Sequence, residues 1–233
     1  MIAVTGRCSE ASDTQCQWQD WGRGSRPAGA LARQDGGVTE TGTVPAEGTR
    51  PRVERAALDL FSTRGFENVT TDEVADAAGI SRRTFFRYYA TKADAVWGDF
   101  AGHVARLEVR LAAADPAQPV LASVCAAYVE VNDYAETELP LLRERMRLIL
   151  TEPALLAHSQ VRYSEVDRVV ARHVAARTGA SPADLVPRLV ATTTRAAATT
   201  AFEAWLGDER STLGQRLHQA FAEITDGFPS LHS

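Results

Sequence analysis

Cysteine is scarce in this chain: Cys8, Cys16 and Cys125 are the three in 233 residues. A small fold stapled by disulfides is thereby excluded, because such folds use several cysteine pairs in place of a core. Cys8 and Cys16 are too widely spaced for a paired zinc knuckle and have no further Cys or His nearby, so they read as free thiols in a reducing cytosol. The five histidines, His103, His158, His173, His218 and His232, show no HExxH or related spacing. No converging nucleophile, base and metal set marks an enzyme, so no catalytic residue, metal or cofactor is expected. No uncharged apolar run approaches the roughly 20 residues that cross a bilayer, and no apolar segment of the secretory kind follows Met1. Strand-like alternation is missing as well. What remains is an all-α chain, 45% hydrophobic with a net charge of −5, expected to be cytoplasmic and without a membrane partner.

Residues 1–48 are rich in Gly, Ser, Thr, Gln and Arg, carry breakers such as Pro27, Gly36-Gly37 and Pro45, and lack sustained apolar periodicity. They are expected to be disordered. Order begins near Arg50. Val53, Ala56, Ala57, Leu60 and Phe61 recur at helical spacing, and Gly65 ends the pattern with Phe66 poised to fold back over the last turn.

The stretch TTDEVADAAGISRRTFFRYYATK, Thr70 to Lys92, is the most informative in the chain. Thr70 and Glu73 have the spacing of a reciprocal helix cap, Gly79 supplies a left-handed turn, and Ser81 can cap the helix that follows. On that helix Arg82, Arg83, Phe86 and Arg87 share one arc, while Phe85 and Tyr89 lie opposite. Thr91 and Asp94 can cap a further helix beginning at Lys92. From Ser81 to Lys92 there are four cations and no acid. A capped helix, a tight turn and a second helix with one cationic and one apolar face make a helix-turn-helix. Arginines in the first turn of the second helix can pair with guanine O6 and N7. The acidic total does not oppose this, because the field that matters to DNA is local. Arg50 and Arg52 form a short basic arm before the first helix. A helical adaptor that binds only protein leaves the acid-free face unexplained. The competing class is a helical small-molecule-binding protein or enzyme without specific DNA binding.

The segment from Arg50 to Phe100 resembles the DNA-binding domain of the TetR family of bacterial transcriptional regulators. That resemblance implies an all-helical homodimer with a three-helix N-terminal DNA-binding domain and a C-terminal domain that binds a small molecule and loosens the grip on a palindromic operator. It carries Arg82, Arg83 and Thr84 onto base-contacting positions and Phe86, Tyr88 and Lys92 onto phosphate-contacting ones. Phe86 departs from the usual tyrosine, so contact with a thymine methyl is its expected role. Together with Thr70, Arg87, Arg50 and Arg52, these are the candidate DNA-binding residues. The expected organisation is an extension over 1–48, a helix-turn-helix domain over 49–98, a ligand-binding and dimerisation domain over 99–228, and a tail over 229–233.

The second half is helix after helix. A fourth helix is predicted to run unbroken through Val96, Trp97, Phe100, Val104, Leu107 and Leu111 as a rod about 30 Å long. Further helices are expected after Pro119 and Pro140, from Ala154 to Thr178, from Ser181-Pro182 with a kink at Pro187, and from Glu209 to just before Phe228-Pro229. The acids Glu130, Asp133, Glu136 and Glu138 read as solvent-facing. The small-residue stretch around Ala201 and Trp205 and the stripe Leu213, Leu217 and Phe221 are the candidate dimer interface. WGDF, RERMRLILTEPALLAHS and FEAWL are similar to regulators encoded with mycofactocin biosynthesis and their actinobacterial relatives. That likeness implies a small hydrophobic effector, with a long-chain acyl-coenzyme A as the candidate, in an apolar slot with a cationic mouth. Trp97, Leu142, Met146, Ile149 and Leu156 are its candidate walls. Arg147, Arg162 and Arg195 are its candidate cations, and His158 is a polar pocket group. Arg195 has an equal alternative in a salt bridge to a neighbouring acid.

Overall fold

The computed structural model describes residues 48–231, and among them every regular element is helical. The expected disorder of the extension, with Cys8 and Cys16, lies outside the described residues apart from Gly48.

Helix α1 (Thr49–Arg64) buries Val53, Ala57, Leu58 and Phe61 and stops at Gly65, whose φ of 83° needs no Cβ. Phe66 then stacks on Phe61 with ring centroids 4.9 Å apart, the fold-back contact its position predicts. Both halves of the Thr70–Glu73 cap form at the start of α2 (Thr71–Ala77). The Arg64 guanidinium 2.6 Å from Glu73 joins that cap, and the Thr70 backbone N–H with Arg64 holds the Glu73 carboxyl down to about 2. Gly79 turns the chain at φ 66°, Ile80 N–H returns to the Ala75 carbonyl, and the Ser81 hydroxyl accepts from Thr84 N–H to start α3 (Arg82–Tyr88). The Thr91–Asp94 cap opens α4 (Lys92–Trp97) as the spacing requires.

The predicted rod is not continuous. Gly98, at φ 59°, ends α4, and the Asp99 side chain caps a separate helix, α5 (Phe100–Ala112). Apolar periodicity runs through the break because Trp97 and Phe100 pack together on the inner side, centroids 5.0 Å apart. Space as well as φ calls for a glycine at the break. A Cβ on Gly98 would lie 2.6 Å from Glu54 Oε2 and 2.9 Å from Arg145 Nη2.

Helices α6 (Val120–Val131), α7 (Leu139–Thr151) and α8 (Pro153–Thr178) follow, with Gly179 left-handed at the end of α8. Ser181 does not start the next helix. Its N–H bonds to Asp184 Oδ2 in a turn, and α9 (Leu185–Gly207) begins after Asp184. Pro187 therefore occupies the first turn, where a missing N–H costs nothing, and the expected kink is not needed. The last α-helix, α10 (Leu213–Thr225), starts later than expected because Thr212 and Gln215 form a capping box.

Two cores result. One gathers α1–α4 with Leu148, Ile149 and Leu155 of the following helices. The other fills the space among α5–α10 around Trp205, Leu217 and Phe221. The five candidate interface residues belong to that second core: Ala201, Trp205, Leu213, Leu217 and Phe221 are at most 4% exposed. This corrects their assignment. Helices α9 and α10 do pack closely, but these side chains are buried within the subunit, where they hold its core together.

Candidate nucleic-acid interface and the adjoining cavity

Helix α3 is short, and its orientation is fixed from one side. Phe85 is fully buried and Tyr89 is 4% exposed, so the arc opposite them faces out. On that arc Arg82, Arg83, Phe86 and Arg87 are exposed. Arg82 reaches Asp72 of α2 at 2.7 Å and lies over the Phe86 ring at 5.5 Å. Both partners of that ion pair are more than half exposed, 66% and 53%, so the pair contributes little and a phosphate or base can take Asp72's place. Arg83 has no ion-pair partner among the described residues. Thr84 shares a hydroxyl contact of 2.9 Å with Ser81. Arg87 donates to the Tyr88 hydroxyl, and Arg50 of α1 sits 5.8 Å over the same ring. The Arg87 hydrogen bond and charge lower the Tyr88 phenol from its usual value. Arg52 is exposed on the same helix as Arg50. Arg50 and the exposed residues of α3 form a cationic surface broken by two aromatic rings, whereas Arg52 lies round α1 beside Arg55, Asp59 and Gly79.

Two candidates are committed elsewhere. The Thr70 hydroxyl is occupied in its cap, accepting from Glu73 N–H and donating to Glu73 Oε2. Lys92 turns inward: its ammonium donates to the carbonyls of Phe66 at 2.7 Å and Val69 at 3.1 Å and lies 4.3 Å over the Phe66 ring. Its expected phosphate contact is corrected to a structural role, because the loop before Thr70 would otherwise leave those carbonyls unpaired.

Behind α3 the polar contacts continue inward. Tyr89 donates to Glu54 Oε1 at 3.0 Å, and Arg145 of α7 meets Glu54 Oε2 at 2.7 Å. Burial, with the Glu54 charge beside it, pushes the Tyr89 phenol well above its usual range, so it stays a donor. A second junction joins Asp94 of α4 to Arg162 and His158 of α8. Hydrogen bonds from Thr91 and Arg162 outweigh burial and keep the Asp94 carboxyl below its usual value.

Glu54 and Arg145 also line a cavity of about 270 Å³ among α5–α9. Five of the candidate ligand residues line it: Trp97, Leu142, Met146, Ile149 and Arg195. Four do not. Arg147 and Leu156 are exposed, while His158 and Arg162 are gathered on Asp94. Arg195 lines the cavity, and its Nε pairs with Asp167 at 2.8 Å, the salt bridge that was its alternative reading. Sequence reasoning missed Arg145, although α7 carried a usable signal. Arg145 is three residues after Leu142 and four before Ile149, on the face those two mark as inward, whereas Arg147 is not. It also missed His103, Arg106, Tyr128 and Tyr163, which enter from α5, α6 and α8. Burial, helped by the Arg106 charge, pulls the His103 imidazole down to about 4, so it is neutral at pH 7. Burial pushes the Tyr163 phenol up to about 12. The cavity is thus aromatic and hydrogen-bonding as much as apolar. Cys125, pushed up to about 12 by burial, is an inert thiol in the second core.

Residues 55–95 match the family model described as bacterial regulatory proteins, tetR family, and residues 118–229 match that of the MftR C-terminal domain. The chain is 39% identical over 184 residues to the putative mycofactocin biosynthesis transcriptional regulator MftR of Mycobacterium tuberculosis, covering 79% of this chain and 93% of the relative. The chain belongs to the TetR family. It is a DNA-binding transcriptional regulator with a helix-turn-helix, and the relatives it matches are regulators rather than enzymes. Another relative, the HTH-type transcriptional regulator TcmR of Streptomyces glaucescens, is 33% identical over 149 residues, 61% of this chain and 66% of the relative. Among solved structures, the fold is shared with the TetR-family repressor FadR of Thermus thermophilus in complex with lauroyl-CoA. The TM-score is 0.50 at 21% identity, over 76% of this chain and 94% of that one. No helix among the described residues is long and apolar enough to cross a membrane.

Proposed function

We propose that this regulator is a repressor that binds a palindromic operator as a homodimer in the cytoplasm and leaves it when a small hydrophobic effector enters the cavity. The observation that carries the DNA side is the face of α3. Four side chains, three of them arginines, stand exposed on one arc while Phe85 and Tyr89 anchor the other. Arg82, Arg83 and Thr84 read bases, Phe86 meets a thymine methyl, and Arg87, Tyr88, Arg50 and Arg52 hold phosphates. Dimerisation uses the outer faces of α9 and α10; on α9 Leu185 and Leu189 are 78% and 57% exposed. Two-fold symmetry sets the α3 helices about 34–36 Å apart for successive major grooves. The effector side rests on the cavity and on its contact with α1 through Glu54. A long-chain acyl-coenzyme A is the candidate, since the Thermus thermophilus structure of the same fold holds lauroyl-CoA.

The test is binding of the purified protein to short duplexes from its own upstream region, with a salt titration, with and without a long-chain acyl-coenzyme A. A palindromic site that weakens with salt and is released by the ligand supports the whole reading. Palindromic binding indifferent to the ligand keeps the repressor and removes the effector. No specific site removes the reading.

A further inference from the structure

Glu54 and Arg145 line the cavity and also join the DNA-binding head to the helices behind it. Their bond is one contact, Arg145 Nη2 to Glu54 Oε2 at 2.7 Å, between side chains only 20% and 13% exposed. The other Glu54 oxygen accepts from Tyr89, the residue that ends α3. The rest of the guanidinium is less well served, because Arg145 Nε is buried and makes no hydrogen bond. Two more side chains of the same cavity carry buried donors without an acceptor: Trp97 Nε1 and the Tyr128 hydroxyl, on residues 5% and 4% exposed. Buried donors left unpaired cost free energy that an incoming acceptor recovers. Although the carboxylates of Glu54, Asp99 and Glu138 also line the cavity, none of them pairs with these three donors, and the apolar walls at Leu142, Met146 and Phe202 suit a hydrocarbon or aromatic body.

Resting on the regulator reading above, we propose that Arg145 is the anchor for an acyl oxygen of the effector, and that taking this oxygen costs Arg145 its bond to Glu54. The acyl oxygen is a carboxylate or a thioester carbonyl, received by Arg145 Nε–H with Trp97 and Tyr128 as supporting donors. Arg145 Nε is fully covered in this structure, so a ligand oxygen reaches it only when the guanidinium turns. With a single Nη2–Oε2 contact to hold, that turn parts the pair. Glu54 is then left with Tyr89 alone, and the link from α7 through α1 to the end of α3 is cut. Ligand and ion pair exclude each other, which gives the ligand unequal affinity for the joined and parted states. Without such a difference no ligand can shift an equilibrium between them. Gly98 lies against the same pair: a Cβ there would overlap Glu54 Oε2, so the α4–α5 joint and the ion pair are shaped around each other. At about 270 Å³ the cavity is just below the roughly 300–1,000 Å³ of drug-sized pockets, so a long acyl chain must widen it on entry.

The test is calorimetric titration of the full chain, free of DNA, with laurate and with lauroyl-CoA. At least one should bind the wild type; laurate alone assigns a carboxylate, lauroyl-CoA alone a thioester. Arg145→Gln should weaken binding tenfold or more. Glu54→Gln no longer holds Arg145 by charge and should tighten binding several-fold, while the bound ligand releases DNA less completely. Arg145→Lys keeps a cation for Glu54 but has no Nε–H donor and should lose ligand affinity like Arg145→Gln, so the inference stays testable if a neutral variant fails to fold. Equal affinity in the wild type and Glu54→Gln overturns the exchange. Equal affinity in the wild type and both Arg145 variants overturns the anchor, and no heat from either compound overturns the acyl class. Operator binding by the same wild-type preparation is measured in parallel. Its absence defeats the regulator reading, whereas its presence beside unchanged ligand affinities defeats only this inference.

Discussion

The face of α3 and the cavity behind it are built in opposite ways. The face comes largely from a single stretch of chain: its caps, turn and exposed side chains fall between Thr70 and Tyr89, apart from Arg64 on the first cap, Glu54 behind Tyr89 and the arm at Arg50 and Arg52. The cavity takes its lining from α1 and from α4 through α9, and its central bond joins residues 91 positions apart. Local order fixes the first through caps and a glycine turn; packing of distant helices fixes the second. Changes to the face should therefore act on DNA and leave the fold alone. Changes at the junction should act on stability and on coupling together.

The largest expected effect lies on the face. Arg82→Ala/Arg83→Ala should weaken operator binding by about 100-fold or more, at roughly 1–3 kcal/mol for each base-reading arginine. The melting temperature should hold steady, since the one ion pair lost there, Arg82–Asp72, is largely exposed. Gel-shift titration beside thermal circular dichroism checks both, and a matching fall in melting temperature would erase the distinction between face and junction.

Gly98→Ala should show the reverse pattern. A residue with Cβ at φ 59° is strained by about 1–3 kcal/mol, and here the Cβ also meets Glu54 at 2.6 Å. At about 2–4 °C per kcal/mol for a chain of this size, the melting point should drop by about 2–12 °C. DNA affinity of the remaining folded protein should change less than effector response does.

The same contrast explains what the sequence reveals and what it hides. Both caps, the turn at Gly79, the buried Phe85 and the exposed arginines were legible, because each depends on residues within four positions of one another. Lys92 was misread because its partners are the Phe66 and Val69 carbonyls, and backbone carbonyls leave no trace in a pattern of side chains. The break at Gly98 was hidden by periodicity that continues across it; the positive φ there and the Glu54–Arg145 pair against it show why a glycine is required. Trp205, Leu213 and Leu217 make stripes that suit a dimer interface or a subunit core equally well, and burial within one chain decided between them. Lys92→Ala gives this lesson a measurable form. The slope of operator affinity against salt should stay unchanged, since no phosphate contact is lost, while stability falls by about 1–3 kcal/mol as two carbonyls lose their partner.

The smallest effect is a pH response of the cavity. The His103 imidazole has its ordinary value near 6.5 when unfolded and about 4 when folded, because burial and Arg106 oppose its charge. Between those values the unfolded chain binds more protons, so stability is fully present above pH 6.5 and is lost as pH falls towards 4. Glu73 acts lower, over the window from 4.5 to about 2, where protonation releases its bonds to Thr70 and Arg64. The two limbs are separable because they belong to the two regions. His103→Gln should flatten denaturation midpoints between pH 6.5 and 4 while leaving the more acidic limb intact. Glu73→Gln should do the opposite, flattening the limb below pH 4.5. If either substitution flattened both limbs, the head and the cavity would be titrating as one cooperative unit, and the independence assumed for the face of α3 would fail with it.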